Sequence, residues 1–232
     1  MSLSSRWQAT VADVAACCER AGRDPKEVKI IAVSKTVGTD VVAQAVECGI
    51  NDFGENRTDP FNEKCALYPQ ANWHLIGQLQ SRKAKDVVGK ACLIHSLDRP
   101  SLLAAIQKSA ELQGVTQDVL IEVSISGEES KAGIAPEQLP YLLEKLSECN
   151  NVACKGLMTM APRGDAEIAQ RTFEGLRKLA QRCDVEYATR DTIAFGELSM
   201  GMSEDYPQAI CEGATMVRIG RRIFSEDFDI TQ

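Results

Sequence analysis

Histidine is scarce in this sequence, and the cysteines, although frequent, lack metal-binding spacing. There are two histidines and nine cysteines among 232 residues, and no two cysteines form the Cys-x-x-Cys pair typical of structural zinc sites. The odd number and scattered positions of the cysteines favour free thiols in a reducing compartment over disulfides. We therefore expect no metal site and a cytoplasmic protein.

Long apolar runs and concentrated positive charge are also missing. No run approaches the roughly 20 apolar residues that span a bilayer, and the N-terminal stretch has no apolar signal core. The net charge is −7 at pH 7, and the lysines and arginines form no continuous patch. We therefore expect neither a membrane nor a nucleic acid as a partner.

What the chain does contain is a regular alternation of strand and helix patterns after one helix pattern at 4–21. No Gly-x-Gly-x-x-Gly turn follows the first strand, which disfavours an open doubly wound sheet. We predict a single domain over 1–232, a (β/α)8 barrel with an extra N-terminal helix. Strands are predicted at 28–34, 51–55, 72–78, 91–97, 117–125, 153–160, 192–200 and 214–219, and helices at 39–48, 58–67, 81–88, 99–112, 136–148, 165–183 and 203–212.

The run at 30–36 is apolar and partly β-branched, and it leads into Lys35. It predicts a strand buried on both faces, so Lys35 should emerge at the carboxyl edge of the sheet, where α/β folds bind ligands. Apolar neighbours there would disfavour the ammonium form and leave a neutral amine able to attack an aldehyde. The alternative is an ordinary solvated lysine at a strand end.

Two segments near the end of the chain, 198–203 and 216–220, each pass from apolar into small residues. In a barrel of this kind the turns after the last two strands commonly bind phosphate through backbone N–H groups. The alternative is two ordinary turns with a helix cap at Ser203. A carbonyl-reactive lysine and a phosphate cup together indicate a site for pyridoxal 5′-phosphate (PLP).

Short motifs occur in one order along nearly the whole chain: AVSKT at 32–36, FGEN at 53–56, WHLIG at 73–77 with LQS at 79–81, IHS at 94–96, SKAG at 130–133, GLM at 156–158, LSMGMS at 198–203 and VRIG at 217–220. With these motifs the chain resembles the pyridoxal phosphate homeostasis proteins, also called the proline synthase co-transcribed or YggS family. These are single-domain relatives of the alanine racemase N-terminal barrel, PLP fold type III. The resemblance implies a PLP-binding protein of vitamin B6 homeostasis that holds the cofactor as a Schiff base on Lys35.

The resemblance also implies which other residues bind the cofactor. Arg218 faces the pyridine nitrogen. The phosphate is held by Ser199, Gly201, Met202 and the turn Ile219–Gly220.

Further candidates come from their places in the predicted strands. Asn56 ends the second strand, where its amide could reach the phenolic oxygen of the cofactor or simply close a turn. His74 lies in an apolar third strand, either as a hydrogen-bonded core histidine or as a wall of the cofactor pocket. Lys131 is a second amine near the same edge and could take the aldehyde from Lys35, although a solvent-facing lysine is the alternative.

Two arginines depart from the family pattern, which usually has Thr or Ser and then Ala after the Arg-x-Gly turn. Here these positions are Arg221 and Arg222. Either arginine could replace a hydroxyl contact to phosphate with a charge-assisted bond. We expect instead that both point to solvent.

Arg218 bears on whether the protein is an enzyme. Its guanidinium keeps its proton, so it should leave the pyridine nitrogen unprotonated and weaken the ring as an electron sink. Racemases of this barrel type add a tyrosine from a separate β-domain, and with the sequence ending at Gln232 we expect no such domain here. We expect a monomer with no catalytic residues that buffers PLP or delivers it to PLP-dependent apo-enzymes. The alternatives are a small PLP-dependent racemase or related amino-acid enzyme, and a barrel enzyme acting on a sugar phosphate.

Overall fold

Eight parallel strands, paired in chain order and closed by the first against the last, form a barrel. The computed structural model describes residues 1–127, 132–187 and 192–228. At the closure, Lys29 lies opposite Met216 and Ile31 opposite Arg218. The predicted (β/α)8 barrel is confirmed. The strands are β1 Lys29–Val33, β2 Asp52–Glu55, β3 Asn72–Leu75, β4 Leu93–Leu97, β5 Gln117–Glu122, β6 Val152–Met158, β7 Ile193–Met202 and β8 Met216–Ile219.

Helices surround the barrel and connect its strands. They are α1 Leu3–Arg20, α2 Thr39–Glu47, α3 Thr58–Leu67, α4 Pro100–Gln113, α5 Leu139–Ser147, α6 Ala166–Tyr187, α7 Tyr206–Cys211 and α8 Arg221–Phe224. The helix predicted at 81–88 is instead a 3₁₀ helix, Ser81–Asp86, in which Ala84 is the buried residue. It therefore lacks the apolar stripe that stabilises an α-helix by packing. In the described ranges, no helix combines the length and apolar character that crossing a bilayer requires.

The barrel interior is filled by side chains from several strands. Ile31, Leu93, Leu120, Met158 and Met216 form one buried cluster. Because these residues come from five different strands, they can meet only inside the barrel. A larger apolar cluster packs the outer faces of the strands against the helices. In the part of the chain that the structure describes, the filled interior places the space for a ligand at the barrel ends.

The N-terminal helix α1 packs against the last segment of the barrel. The Arg6 guanidinium donates from Nε to the Ile223 carbonyl at 2.8 Å. Asp13 accepts from Arg222 at 3.0 Å and also from the Tyr206 hydroxyl. These contacts fix α7 and α8, the two short helices that follow β7 and β8.

Candidate functional site

A cavity of about 870 Å³ opens at the carboxyl edge of the barrel. Its volume is that of a small-molecule site. Among the residues predicted from the sequence to bind a cofactor, Lys35, Asn56, Met202, Arg218 and Gly220 line it. The other lining residues are Val33, Thr36, Ile76, Gly77, Gln78, Glu122, Ala132, Met160, Pro162, Arg163, Gly164, Asp165, Ala166, Ala169, Ser203, Glu204, Asp205 and Arg221.

Lys35 lies in the turn after β1, and its side chain is exposed at the cavity. The expectation that apolar neighbours enclose it is wrong for this structure. The reason is that β1 ends at Val33 and the buried residue after it is Ser34. The chain then turns outward, so the Lys35 amine is accessible to a ligand entering from solvent.

A buried ion pair supports the ends of β1 and β2 behind Lys35 and Asn56. The Lys64 Nζ lies 2.5 Å from Glu55 Oε1 and donates to the Ser34 carbonyl at 2.8 Å. The Ser34 hydroxyl also donates to Glu55 Oε1, at 2.7 Å. Removing one partner of such a pair typically costs about 3–5 kcal/mol, because the other charge stays buried. The pair therefore connects Ser34, the residue before Lys35, to Glu55, the residue before Asn56.

Gly77 shapes the neighbouring wall of the cavity. A Cβ atom at this position would lie 2.3 Å from the Asn56 carbonyl oxygen. Only glycine permits this close approach of the two backbones. The position of Asn56 at the cavity is therefore set by its backbone contact with Gly77.

Arg218 is the buried cation of the site, with 4% of its surface exposed. Its Nη1 donates to the Ser199 hydroxyl at 2.7 Å, and its Nη2 donates to the Thr159 carbonyl at 3.0 Å. Burial lowers the pKa of Arg218 to about 10, against the opposing influence of Glu122 and Asp205. The guanidinium is therefore protonated at neutral pH and held by two bonds.

Glu122, at the end of β5, also lines the cavity and was missed by the sequence analysis. Its side chain is buried, and burial raises the pKa of its carboxyl group to about 7, although Arg218 lowers it. An acidic residue that ends a buried strand was the available signal. Glu122 is therefore a titrating group inside the site.

The turn after β7 is closed by hydrogen bonds between Asp205 and Met202. Gly201 has a φ of +88°. The Met202 N–H donates to Asp205 Oδ1 at 2.5 Å, and the Asp205 N–H donates to the Met202 carbonyl at 3.2 Å. By contrast, the backbone N–H group of Gly220 has no hydrogen bond to the described part of the chain. It is therefore available to an anion, and Ser203 lines the same cavity.

Four of the predicted residues lie behind the cavity wall, and one of them is the buried Gly201. Ser199 and His74 are buried and belong to one hydrogen-bonded set that includes His95. Ile219 is part of the apolar core. His74 therefore occupies the position of a hydrogen-bonded core histidine, the first of the two alternatives, and does not border the cavity in the described ranges.

The two arginines after the last strand have different environments. Arg222 is buried against Asp13 and lies over the Tyr206 ring, 5.7 Å from its centroid. The expectation that it points to solvent is wrong, because α1 covers it. Arg221 borders the cavity, half-exposed, with Nη2 2.6 Å from Glu204 Oε1. Lys131, the second candidate amine, lies outside the described residues.

No group of three or more histidine, cysteine or acidic side chains in 1–127, 132–187 and 192–228 could hold a metal ion. The site is therefore organised around an exposed amine, a buried guanidinium and a free backbone N–H group. Such a set suits a ligand that carries both an aldehyde and a phosphate.

Comparison with known proteins gives the same relationship as the motifs. The alanine racemase N-terminal domain model matches residues 8–226. A pyridoxal phosphate homeostasis protein of Aquifex aeolicus is 42% identical over 229 residues, covering 97% of this chain and 99% of the relative. PipY of Synechococcus elongatus PCC7942, solved with PLP bound, is 32% identical with a TM-score of 0.83, covering 97% of this chain and 100% of PipY.

Alanine racemase of Clostridium difficile 630 shares the fold at 15% identity, with a TM-score of 0.70 over 92% of this chain and 58% of the racemase. The resemblance inferred from the motifs is thereby confirmed. The chain belongs to the alanine racemase N-terminal domain family and, within it, to the pyridoxal phosphate homeostasis proteins.

Proposed function

We propose that this chain binds PLP reversibly at the carboxyl-edge cavity and buffers or delivers it without using it in catalysis. The observation that carries the proposal is that the exposed Lys35 amine shares one cavity with Ser203 and with the free backbone N–H of Gly220. Bound PLP supplies an aldehyde and an electron-withdrawing ring. Lys35 would hold the cofactor reversibly by its amine, with water lost on attachment and taken up again on release.

The phosphate is assigned to the turns after β7 and β8. The N–H group of Gly220 donates to its oxygens, and the Ser203 hydroxyl adds a donor. Gly201, Met202 and Ile219 shape these turns. The Ser199 hydroxyl already accepts from Arg218, so we assign it to supporting that guanidinium in place of the phosphate role expected from the sequence.

Arg218 and Asn56 are assigned to the ring. Arg218, which stays protonated, would donate to the pyridine nitrogen and leave it without a proton, which would disfavour carbanion chemistry. Asn56 donates its amide to the phenolic oxygen. No tyrosine lines the cavity among the described residues, so the second base that a racemase needs has no counterpart there.

We extend the proposal to a cytoplasmic monomer whose recipients are PLP-dependent apo-enzymes. The large exposed apolar side chains, among them Leu67, Leu112, Tyr141 and Val185, come from four different helices. Scattered exposed side chains of this kind are normal for a monomer, whereas an interface needs a contiguous patch.

The purified protein mixed with PLP should absorb in the visible region, and borohydride should fix the adduct on Lys35. Lys35→Ala should abolish the adduct, whereas Lys83→Ala, which removes a partly exposed lysine outside the cavity, should retain it. Mass spectrometry of the reduced peptides is the measurement. An adduct located mainly on another lysine of the wild-type protein would contradict the assignment.

A further inference from the structure

A continuous set of hydrogen bonds, called here the polar chain, crosses the barrel interior from Arg218 to Asp52. Arg218 Nη1 lies 2.7 Å from Ser199 Oγ, and Ser199 Oγ lies 2.9 Å from His95 Nδ1. His95 Nε2 lies 3.0 Å from His74 Nδ1, and His74 Nε2 lies 3.3 Å from Asp52 Oδ1. The first four residues of the polar chain are buried, and Asp52 is partly exposed.

The polar chain joins the two ends of the barrel. His95 is on β4 and Ser199 is on β7, strands that are not neighbours, so their bond passes through the interior. Arg218 borders the cavity at the carboxyl edge. Asp52 is the first residue of β2 and therefore lies at the amino edge, away from the cavity.

The two ends of the polar chain fix the direction of every bond in it. A guanidinium only donates and a carboxylate only accepts. Burial lowers the pKa values of both histidines, so each ring carries one hydrogen. His74 uses its hydrogen on Nε2 to donate to Asp52, and its Nδ1 therefore accepts from His95 Nε2. The Nδ1 of His95 is then an acceptor, so the Ser199 hydroxyl donates to it and accepts from Arg218.

The polar chain is not a route for protons, because Arg218 keeps its proton at neutral pH. What it can transmit is polarisation. Hydrogen bonds in series strengthen one another at low dielectric, so the charge of Asp52 makes the Ser199 oxygen a better acceptor. That oxygen and the Thr159 carbonyl are the two acceptors that hold the Arg218 guanidinium.

We infer that Asp52, His74 and His95 are positioning residues that orient Arg218 against the ligand from the far side of the barrel. The inference rests on the proposed function for its ligand, since it takes PLP as the molecule that Arg218 contacts. The bonds themselves form without a ligand, so they can be tested separately.

The first experiment is nitrogen NMR of the ligand-free protein, whose two histidines make the assignment direct. Both rings should be neutral and carry their hydrogen on Nε2 at pH 7.5. A hydrogen on Nδ1 of His95, or a doubly protonated ring, would overturn the direction of the polar chain.

The second experiment is a double-mutant cycle on the PLP dissociation constant, measured from visible absorbance. Asp52→Ala should weaken PLP binding roughly 3- to 10-fold, and in the Ser199→Ala background it should have no further effect. Asp52→Asn, whose amide oxygen still accepts from His74, should restore binding to within about twofold. Lys29→Ala removes an exposed ion pair of Asp52 but no bond of the polar chain, and should also stay within about twofold.

Additive effects of Asp52→Ala and Ser199→Ala would show that Asp52 acts independently of the polar chain and would overturn the inference. Asp52→Asn as damaging as Asp52→Ala would do the same. If wild-type protein did not bind PLP at all, the proposed function would fail, while the NMR result would still decide whether the polar chain exists.

Discussion

At the scale of single residues, Gly201 has a backbone conformation that favours glycine and too little space for a side chain. Its φ is +88°, and a Cβ there would lie 2.6 Å from the Ala209 Cβ. Gly201→Ala should therefore lower the free energy of unfolding by about 1–3 kcal/mol and weaken PLP binding at the adjacent turn. Gly196→Ala, in the same strand with open space around it, is the matched control. Urea unfolding of both variants makes the comparison, and equal stability of the two would contradict the packing argument.

The two buried histidines predict how stability depends on pH. Their folded-state pKa values are lowered from 6.5, so below that pH the unfolded chain binds protons that the folded protein does not. The stabilisation is full above about 6.5 and is lost as the pH falls, by up to about 1.4 kcal/mol per pH unit for each histidine. The charged groups that influence the pKa values of His74 and His95 are Asp52, Lys29, Arg218 and Glu197.

Glu122 has the opposite effect on stability. Its pKa is raised from 4.5 to about 7, so between these values the folded protein binds a proton that the unfolded chain does not. Glu122→Gln removes this opposing contribution, and its free energy of unfolding should fall more steeply than that of the wild type between pH 6.5 and 5. Urea titrations at several pH values measure both slopes. An equal or shallower slope in the variant would show that Glu122 is ionised in the folded state over this pH range.

At the scale of elements, the contact of α1 with α8 connects the start of the chain to the site. Asp13→Ala leaves Arg222 buried without its charge partner, which should cost about 1–3 kcal/mol of unfolding free energy. Because α8 begins at Arg221 on the cavity, PLP binding should weaken as well. Glu19→Ala changes an exposed residue of the same helix and should do neither. A stability loss in Asp13→Ala with unchanged PLP affinity would show that the position of α8 does not affect PLP binding.

The elements also differ in how well the sequence predicts them. Most strands coincide with short apolar runs, and the regular spacing of the strand patterns predicts all eight and therefore places Lys35, Asn56 and Arg218 at one edge. The short helix α8 buries Ile223 and Phe224 but has no periodic pattern long enough to indicate it. The bond between His95 and Ser199 joins residues 104 positions apart, and no local pattern reports such a contact. The covering of Arg222 by α1 was missed for the same reason.

At the scale of the whole molecule, the arrangement predicts a binding protein with little turnover. Incubated with PLP and L-alanine in deuterated water, it should exchange the α-proton far more slowly than the roughly 1–10³ per second of ordinary enzymes. The proposed contact of Arg218 would leave the pyridine nitrogen unprotonated, and no opposing tyrosine lines the described cavity. Proton NMR follows the exchange, with an alanine racemase assayed in parallel. Exchange at enzymatic rates would favour the amino-acid enzyme over the carrier.

The pairing of β1 with β8 is the seam that makes a closed barrel out of an open sheet. Lys35 lies just beyond β1 and Gly220 directly follows β8. A ligand bound at both positions would therefore connect the two strands across this seam. At a free concentration 100 times its dissociation constant, such a ligand adds about 2.7 kcal/mol to the stability of the closed form. The coupling runs in both directions. A recipient protein that separates β1 from β8 would therefore weaken the binding of the ligand. It would receive the ligand without competing for the cavity.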